Sequence, residues 1–364
     1  MDNNFVLAPA LVTVRFDLDP VSNALQSLRM LNDLERLSGL HDWLTRTQAA
    51  LSPERQSQNR MVFVAFEPLL FLPAQKLPSF PAFLDYLARL TPVELIAKQD
   101  EYLADMYAHY PEHMAQHEQG VTFRALLTDR DHYVRFMTQL EELDEPEFWN
   151  AAYDLTRDPA VMQQYVVEHL RFMWETHLRA EWERQLPLLT ESINAFRRID
   201  FTDKTALEAA RIVTNRDLRE LLEKKLLMSN VVEFVPNPHL GPYVSVVSRS
   251  GYTNINFGVR LPRGAQSTAQ SEFSRAELLI RLNALADDAR LQILELLTQH
   301  DELCAQDIIE KLGVSQSTVS RHLSQLRATG YIIERRREVA KCYSLNTDRV
   351  VDTLRALTNF LSRQ

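Results

Sequence analysis

Residues 303–345 read LCAQDIIEKLGVSQSTVSRHLSQLRATGYIIERRREVAKCYSL. Ile308, Ile309 and Leu312 place one apolar stripe on a first helix, because spacings of three and four return side chains to the same helical face. Gly313 supplies a left-handed turn residue, Val314 an apolar plug, and Ser315 the N-cap of a second helix. In that second helix Val319, Leu323 and Leu326 are spaced four and three apart and are expected to be buried. Ser317, Ser320, Arg321 and Ser324 then fall on the open side, with Gln316 and Thr318 pointing off the amino-terminal end. After Gly330 the chain alternates as two short strands around a tip at Arg337 to Ala340.

Helix, tight turn, helix and basic hairpin together spell a helix-turn-helix followed by a wing. The residue types on its open side suit duplex DNA. Hydroxyl and amide side chains exchange hydrogen bonds with base edges, Arg forks onto guanine, and the amino end of the second helix is where base contact is expected. The candidate groove-facing set is therefore Ser315, Gln316, Ser317, Thr318, Ser320, Arg321, His322 and Ser324. His322 sits at the edge of the buried stripe, where packing and phosphate contact are equally open. Arg335, Arg336, Arg337 and Lys341 would lie beside the minor groove or on phosphate, positioning the domain without reading much sequence. Leu278, Leu282 and Leu285 precede this unit, and Val350, Val351, Leu354, Leu357, Phe360 and Leu361 follow it. That is more apolar surface than one small domain buries. Leu278, Leu282, Val351, Leu354, Leu357, Phe360 and Leu361 are read as the seam of a homodimer, which a two-fold symmetric binding site requires.

A net charge of −9 over 364 residues argues at first against nucleic acid. The charge is unevenly placed, at −10 over residues 1–272 and +1 over residues 273–364, with a surplus of four positive charges within 315–345. Proline is uneven too: all sixteen lie at or before Pro262. The polar run 263–273 reads as a linker between a domain at 1–262 and the winged domain at 274–364. Upstream, the segments 20–37, 81–109, 128–155 and 158–198 carry apolar residues three and four apart and are expected to be helical. VTVRF (12–16), VVEFV (231–235), YVSVV (243–247) and YTNINF (252–257) are rich in β-branched and aromatic residues, which predicts a small antiparallel sheet near the linker. The fold class expected is mainly α, a helical N-terminal domain with that small sheet plus a C-terminal winged helix-turn-helix.

The stretch LNALADDARLQILELLTQHDELCAQDIIEKLGVSQSTVSRHLSQLRATGYI (282–332) resembles the ArsR-type winged helix-turn-helix family, most specifically over ALADDARLQIL and SQSTVSRHLSQL. The resemblance extends over about residues 274–362. It implies that the helix matching 315–328 enters the major groove, that the first and last helices form a homodimer, and that repression is relieved by an effector. FDLDPVSNALQSLRML (16–31) and PNPHLGPYVS (236–245) are similar to an uncharacterised domain that precedes such units in some bacterial regulators, and that similarity brings no activity with it.

Other chemistry finds less support. Metal-sensing members of the resembled family carry Cys-x-Cys where this chain has Cys304 followed by Gln306, and Cys342 on the wing is expected to lie out of reach. Both cysteines are expected as thiols in a reducing compartment. His109, His113 and His117 recur at four-residue spacing, but Pro111 should start a helix between them, leaving His113 and His117 as the only aligned metal candidates. Solvated histidines are the simpler reading, so no metal and no cofactor is expected. Trp149, Tyr153, Trp174 and Trp182 suit core packing better than a ligand pocket. The sequence holds no phosphate-binding glycine loop and no nucleophile elbow, so it is not read as an enzyme. No apolar run is long enough to span a membrane, and no basic-then-apolar leader opens the chain, which places it in the cytoplasm. The expected partners are double-stranded DNA, a second copy of the chain, and either a small-molecule effector sensed by the N-terminal domain or a protein docked by it.

Overall fold

The computed structural model describes residues 12–34, 37, 40–70, 76–109, 114–214, 229–241, 243–249, 251–262, 275–337 and 340–361. Its chain divides into two compact units, one made of residues 19–32 and 47–183, the other of residues 1–18, 33–46 and 184–364. The linker expected at 263–273 lies outside the described residues.

The first of these units is helical, and serine, aspartate and proline set where its helices begin. Asp19 caps α1 (Pro20–Arg29), Ser52 caps α3 (Pro53–Val64) after α2 (Asp42–Ala50), and Ser79 caps α4 (Phe80–Arg89). Each cap oxygen accepts from a backbone N–H that the helix itself cannot satisfy. Pro92 opens α5 (Pro92–His109), so the stretch 81–109 forms two helices rather than one. The short α6 (Phe123–Leu126) follows. Pro146 likewise divides α7 (Arg130–Leu140) from α8 (Pro146–Thr156), with Glu142 at φ 51° in the turn between them. By contrast α9 (Pro159–Met173) runs through one π-helical turn at Trp174–Leu178 into α10 (Arg179–Phe196). Leu28, Phe66, Phe80, Phe83, Tyr133, Trp149 and Leu170 are sealed from solvent in this core. Three of the four aromatic residues expected to pack are core residues: Trp149 is fully buried and donates to the Leu143 carbonyl at 2.9 Å, Tyr153 is buried, and Trp174 packs its ring 5.4 Å from that of Phe80, whereas Trp182 is half-buried.

One polar network penetrates that core. Asn59 donates through Nδ2 to the Leu28 carbonyl at 3.1 Å and to Asn32 Oδ1 at 3.0 Å, and its Oδ1 lies 3.0 Å from His169 Nε2. Burial penalises the charged imidazole and pulls His169 down to about 3. His117, one of the two metal candidates, is buried with its ring 6.4 Å from that of Phe136. His113 lies outside the described residues.

The second unit opens with a four-stranded sheet in the order β1 (Thr13–Phe16), β2 (Val231–Asn237), β4 (Tyr252–Gly258), β3 (Val244–Arg249). All four strands fall where β-branched and aromatic residues cluster, but the sheet is mixed rather than antiparallel. β1 and β4 both run parallel to β2, and only the β3–β4 hairpin is antiparallel. Strand composition carries no direction. The hairpin is closed locally through Gly251 at φ 72°, whereas β1 joins from the other end of the chain. Val232, Phe234, Ile255, Phe257 and Phe16 face Ile193 and Phe196 of α10 and Ala209, Ala210 and Val213 of α11 (Ala206–Thr214). Gly258 is required by close approach, since a Cβ there would lie 1.8 Å from the Gly241 carbonyl oxygen.

The winged domain belongs to the same unit. Its order is α12 (Arg275–Leu285), α13 (Asp288–Gln299), β5 (Leu303–Cys304), α14 (Ala305–Leu312), α15 (Gln316–Ala328), β6 (Ile332–Arg337), β7 (Ala340–Leu345) and α16 (Thr347–Leu361). Ile293, Leu297, Ile308, Val319, Leu323, Leu326, Tyr331 and Tyr343 share one core. Arg260, two residues past β4, ties this domain to the mixed sheet. Its Nη1 donates to the Thr214 carbonyl and to Asp348 Oδ2 of α16, each at 3.1 Å.

Candidate nucleic-acid interface

Gly313 ends α14 at φ 65°, and its N–H donates to the Ile309 carbonyl at 2.9 Å. Ser315 then caps α15, its Oγ accepting from the Thr318 N–H at 3.3 Å and lying 2.8 Å from Thr318 Oγ1. The buried stripe expected for the second helix holds: Val319, Leu323 and Leu326 are each at most 3% exposed. Ser315, Gln316, Ser317, Ser320, Arg321 and Ser324 are exposed together, and Thr318 is half-buried. His322 does not join that face. It is buried, with Nδ1 3.7 Å from Asp287 Oδ1, because its place in the helix turns it toward the α13 end rather than outward.

A buried arginine that sequence reasoning passed over holds α15 in position. Arg290 donates through Nε to the Ala284 carbonyl at 2.6 Å, through Nη2 to the Asn283 carbonyl at 2.8 Å, and through Nη1 to Gln325 Oε1 at 2.8 Å. Asp287 caps α13 by accepting from the Arg290 N–H at 3.0 Å. That hydrogen bond, with the Arg290 guanidinium and His322 nearby, holds the Asp287 carboxyl below the usual range. The signal was present in ALADDARLQIL, where an Asp three residues before an Arg opens an apolar run.

The wing pairs Arg335 with Cys342, Arg336 with Lys341 and Arg337 with Ala340, and its tip at 338–339 lies outside the described residues. Lys341 Nζ reaches Glu334 Oε1 at 3.1 Å, Arg327 Nη1 reaches Glu334 Oε2 at 3.7 Å, and Tyr343 donates its hydroxyl to Glu334 at 3.2 Å. Burial first, and Glu334 second, push the Tyr343 phenol up to about 12. Arg321, Arg335 and Arg337 are exposed and enter no ion pair among the described residues. Tyr331 anchors the wing's base by donating to the Arg281 carbonyl at 3.1 Å, with Thr353 Oγ1 also at 3.1 Å.

Of the apolar residues read as a dimer seam, Val351, Leu354, Phe360 and Leu361 of α16 are 41–70% exposed. Leu357 and Leu282 are half-buried, and Leu278 is buried within the domain.

The cysteines require a correction. Cys304 and Cys342 are neither free nor apart but disulfide-bonded, 38 residues apart in sequence. The wing is three-stranded, in the order β5-β7-β6, and the two-residue β5 sets Cys304 opposite Cys342. So short a strand leaves no alternation to read.

A concavity lies in the same unit, at the edge of the mixed sheet. It is an open cleft of about 730 Å³. Arg15, Asp17, Arg197, Asp200 and Glu233 bring charges of both signs to its lining. Arg197 donates to the Phe16 carbonyl at 2.7 Å, and Glu233 accepts from the Tyr252 hydroxyl at 2.6 Å.

These elements define a winged helix-turn-helix protein. Residues 287–334 match the family described as bacterial regulatory protein, arsR family. The nodulation protein NolR of Rhizobium meliloti is 38% identical over 78 residues, which is 21% of this chain and 63% of that protein. The transcriptional repressor SdpR of Bacillus subtilis is 34% identical over 80 residues, 22% of this chain and 88% of the relative. The crystal structure of NolR from Sinorhizobium fredii is 34% identical, covering 26% of this chain and 96% of that one, with a TM-score of 0.21. The chain belongs to the ArsR family. Its matches span 63%, 54% and 44% of three of the curated relatives.

Proposed function

We propose that this protein is a sequence-specific DNA-binding transcriptional regulator, a repressor acting in the cytoplasm as a homodimer. The observation that carries this reading is α15, whose seam is sealed while Gln316, Ser317, Ser320, Arg321 and Ser324 stand exposed together on its other side. Those side chains read base edges, and the wing cations Arg335, Arg337 and Lys341 neutralise phosphate. The exposed α16 residues support the homodimer. Repression follows the names of the relatives, SdpR and the arsenical resistance operon repressor of Escherichia coli among them. No helix among the described residues is long and apolar enough to cross a membrane. The test is to incubate the full-length protein with fragmented genomic DNA of its source and sequence what is retained. Enrichment of a pseudo-palindrome is expected, and retention without sequence preference contradicts the reading.

The cleft favours sensing of a small ligand rather than docking of a protein. The cleft is open to solvent, and its mixed charge suits a polar ligand bearing both signs. Arg260 offers a physical route from the end of β4 to α16 through Asp348. Thermal-shift screening of polar metabolites against the full chain, repeated with Arg15→Ala, tests it. A ligand whose stabilisation is lost in the variant is expected. Hits that ignore the substitution place the sensor elsewhere, and a protein captured through the N-terminal region in place of any ligand favours docking.

A further inference from the structure

We propose that Cys304 and Cys342 form an oxidation site, closed by peroxide-class oxidants and reopened by thiols, that sets the posture of the wing. The proposal rests on the DNA-binding reading for its consequence, but not for its chemistry.

The two are the only cysteines in the chain, so within one copy each has a single partner. Register brings them together, since Leu303 pairs with Tyr343 and Cys304 with Cys342. Their environments differ as the two roles in such a pair require. Cys304 is half-buried at the start of α14 and reachable by a small reagent, whereas Cys342 is 1% exposed. The accessible sulfur is the one oxidised first, and the sheltered one resolves.

The chemistry closes with hydrogen peroxide as oxidant. The Cys304 thiolate attacks the O–O bond, taking one oxygen to become a sulfenic acid while the other leaves as hydroxide and collects a proton to become water. The Cys342 sulfur then attacks the Cys304 sulfur, the S–S bond forms, and the sulfenic oxygen leaves as a second water. Two thiols are oxidised by two electrons, and one peroxide is reduced to two waters. Reduction consumes two equivalents of a small thiol by exchange and releases that thiol's disulfide. In a reducing compartment the bond is therefore transient, which suits a signal better than a staple.

The location gives the bond a consequence. The loop it closes contains α14, α15 and β6, so it joins the start of the helix pair to the central strand of the wing. Cys342 lies next to Lys341 and opposite Arg335 in register. β5 offers only two residue pairs to β7, and so short a strand holds weakly without the covalent link. Oxidation therefore pins the basic wing against the helix-turn-helix and removes part of the ordering cost of engaging phosphate. The oxidised form binds DNA more tightly.

The experiment uses the full-length protein, fully reduced or treated with hydrogen peroxide. Peptide mapping is expected to find Cys304 joined to Cys342 after treatment. DNA affinity on genomically selected fragments should rise by at least about fivefold, the lower end of ordinary coupling between sites. Tryptic cleavage after Arg335 and Arg337 should slow. Cys304→Ser, a change at the half-exposed position, should abolish both responses. Absence of the cross-link overturns the proposal, as does a cross-link that leaves both affinity and cleavage unchanged. If neither state binds DNA, the functional reading fails on its own and the cleavage rates decide this one.

Discussion

Replacing Arg290 with Ala should unseat α15. The guanidinium is buried and satisfies two carbonyls, those of Asn283 and Ala284, together with the Gln325 side chain, and its Nη1 lies 3.6 Å from Asp287. Truncation leaves these acceptors facing one another without a donor. Stranding the buried Ala284 acceptor costs about 1–3 kcal/mol, and the part-buried Asn283 and Gln325 acceptors, which water reaches, add less. Lys keeps the charge but cannot span three acceptors from one planar fork, so Arg290→Lys should fall between the two. Urea unfolding of the full-length protein, followed by circular dichroism and by hydrogen exchange of peptides from 281–345, measures both the destabilisation and its location. Reduced protection should concentrate at the α12–α13 corner and the C-terminal half of α15. A cost below about 1 kcal/mol for Arg290→Ala would refute the assignment of Arg290 as the anchor of that helix.

Gly313→Ala should destabilise the winged domain by about 1–2 kcal/mol, since a Cβ there meets nothing within 4 Å and only the left-handed backbone is penalised. Gly313→Asn should cost less, and equal costs in urea titrations would show that crowding rather than φ is responsible. Leu354→Glu places a charge on a side chain 52% exposed on α16 and should shift the protein toward monomer in sedimentation velocity without lowering helicity. An unchanged sedimentation coefficient would remove α16 from the proposed dimer seam. His169 is held neutral in the fold at about 3, while an unfolded imidazole titrates near 6.5. The unfolded chain thus binds this proton first, and stability contributed at neutral pH is lost as pH falls from about 6.5 toward 3. His169→Gln should flatten that slope, and an unaltered pH dependence of urea midpoints would contradict it.

Much of the winged domain was legible because each of its signals is local. Gly313, Ser315 and the Val319-Leu323-Leu326 seam constrain their neighbours within a few residues, and the structure keeps all three as expected. The four strands of the mixed sheet were legible for the same reason, from β-branched and aromatic residues. Their directions were not, because β1 pairs with β2 across more than two hundred residues of chain and no periodicity encodes that partnership. The stretches 81–109 and 128–155 were legible in extent but not in division, since Pro92 and Pro146 begin new helices inside runs that read as continuous, and 20–37 overran α1, which ends at Arg29. The Cys304–Cys342 pair was missed because β5 is two residues long. His322 was left open between packing and phosphate contact, and only tertiary packing against the Asp287 corner turns it inward.

In the proposed division of labour, α15 reads base edges while the wing holds phosphate. Genomic-fragment selection with the parent protein, Arg321→Ala, and the double substitution Arg335→Ala with Arg337→Ala tests it most directly, with affinities then measured across salt concentrations. Arg321→Ala should blur the retained motif at one position per half-site, at a cost of about 1–3 kcal/mol on the preferred sequence. The wing substitutions should weaken binding to all duplexes alike and lower the salt slope by about two, roughly one for each phosphate no longer neutralised. An unchanged motif from Arg321→Ala, or a motif altered by the wing substitutions instead, would contradict it.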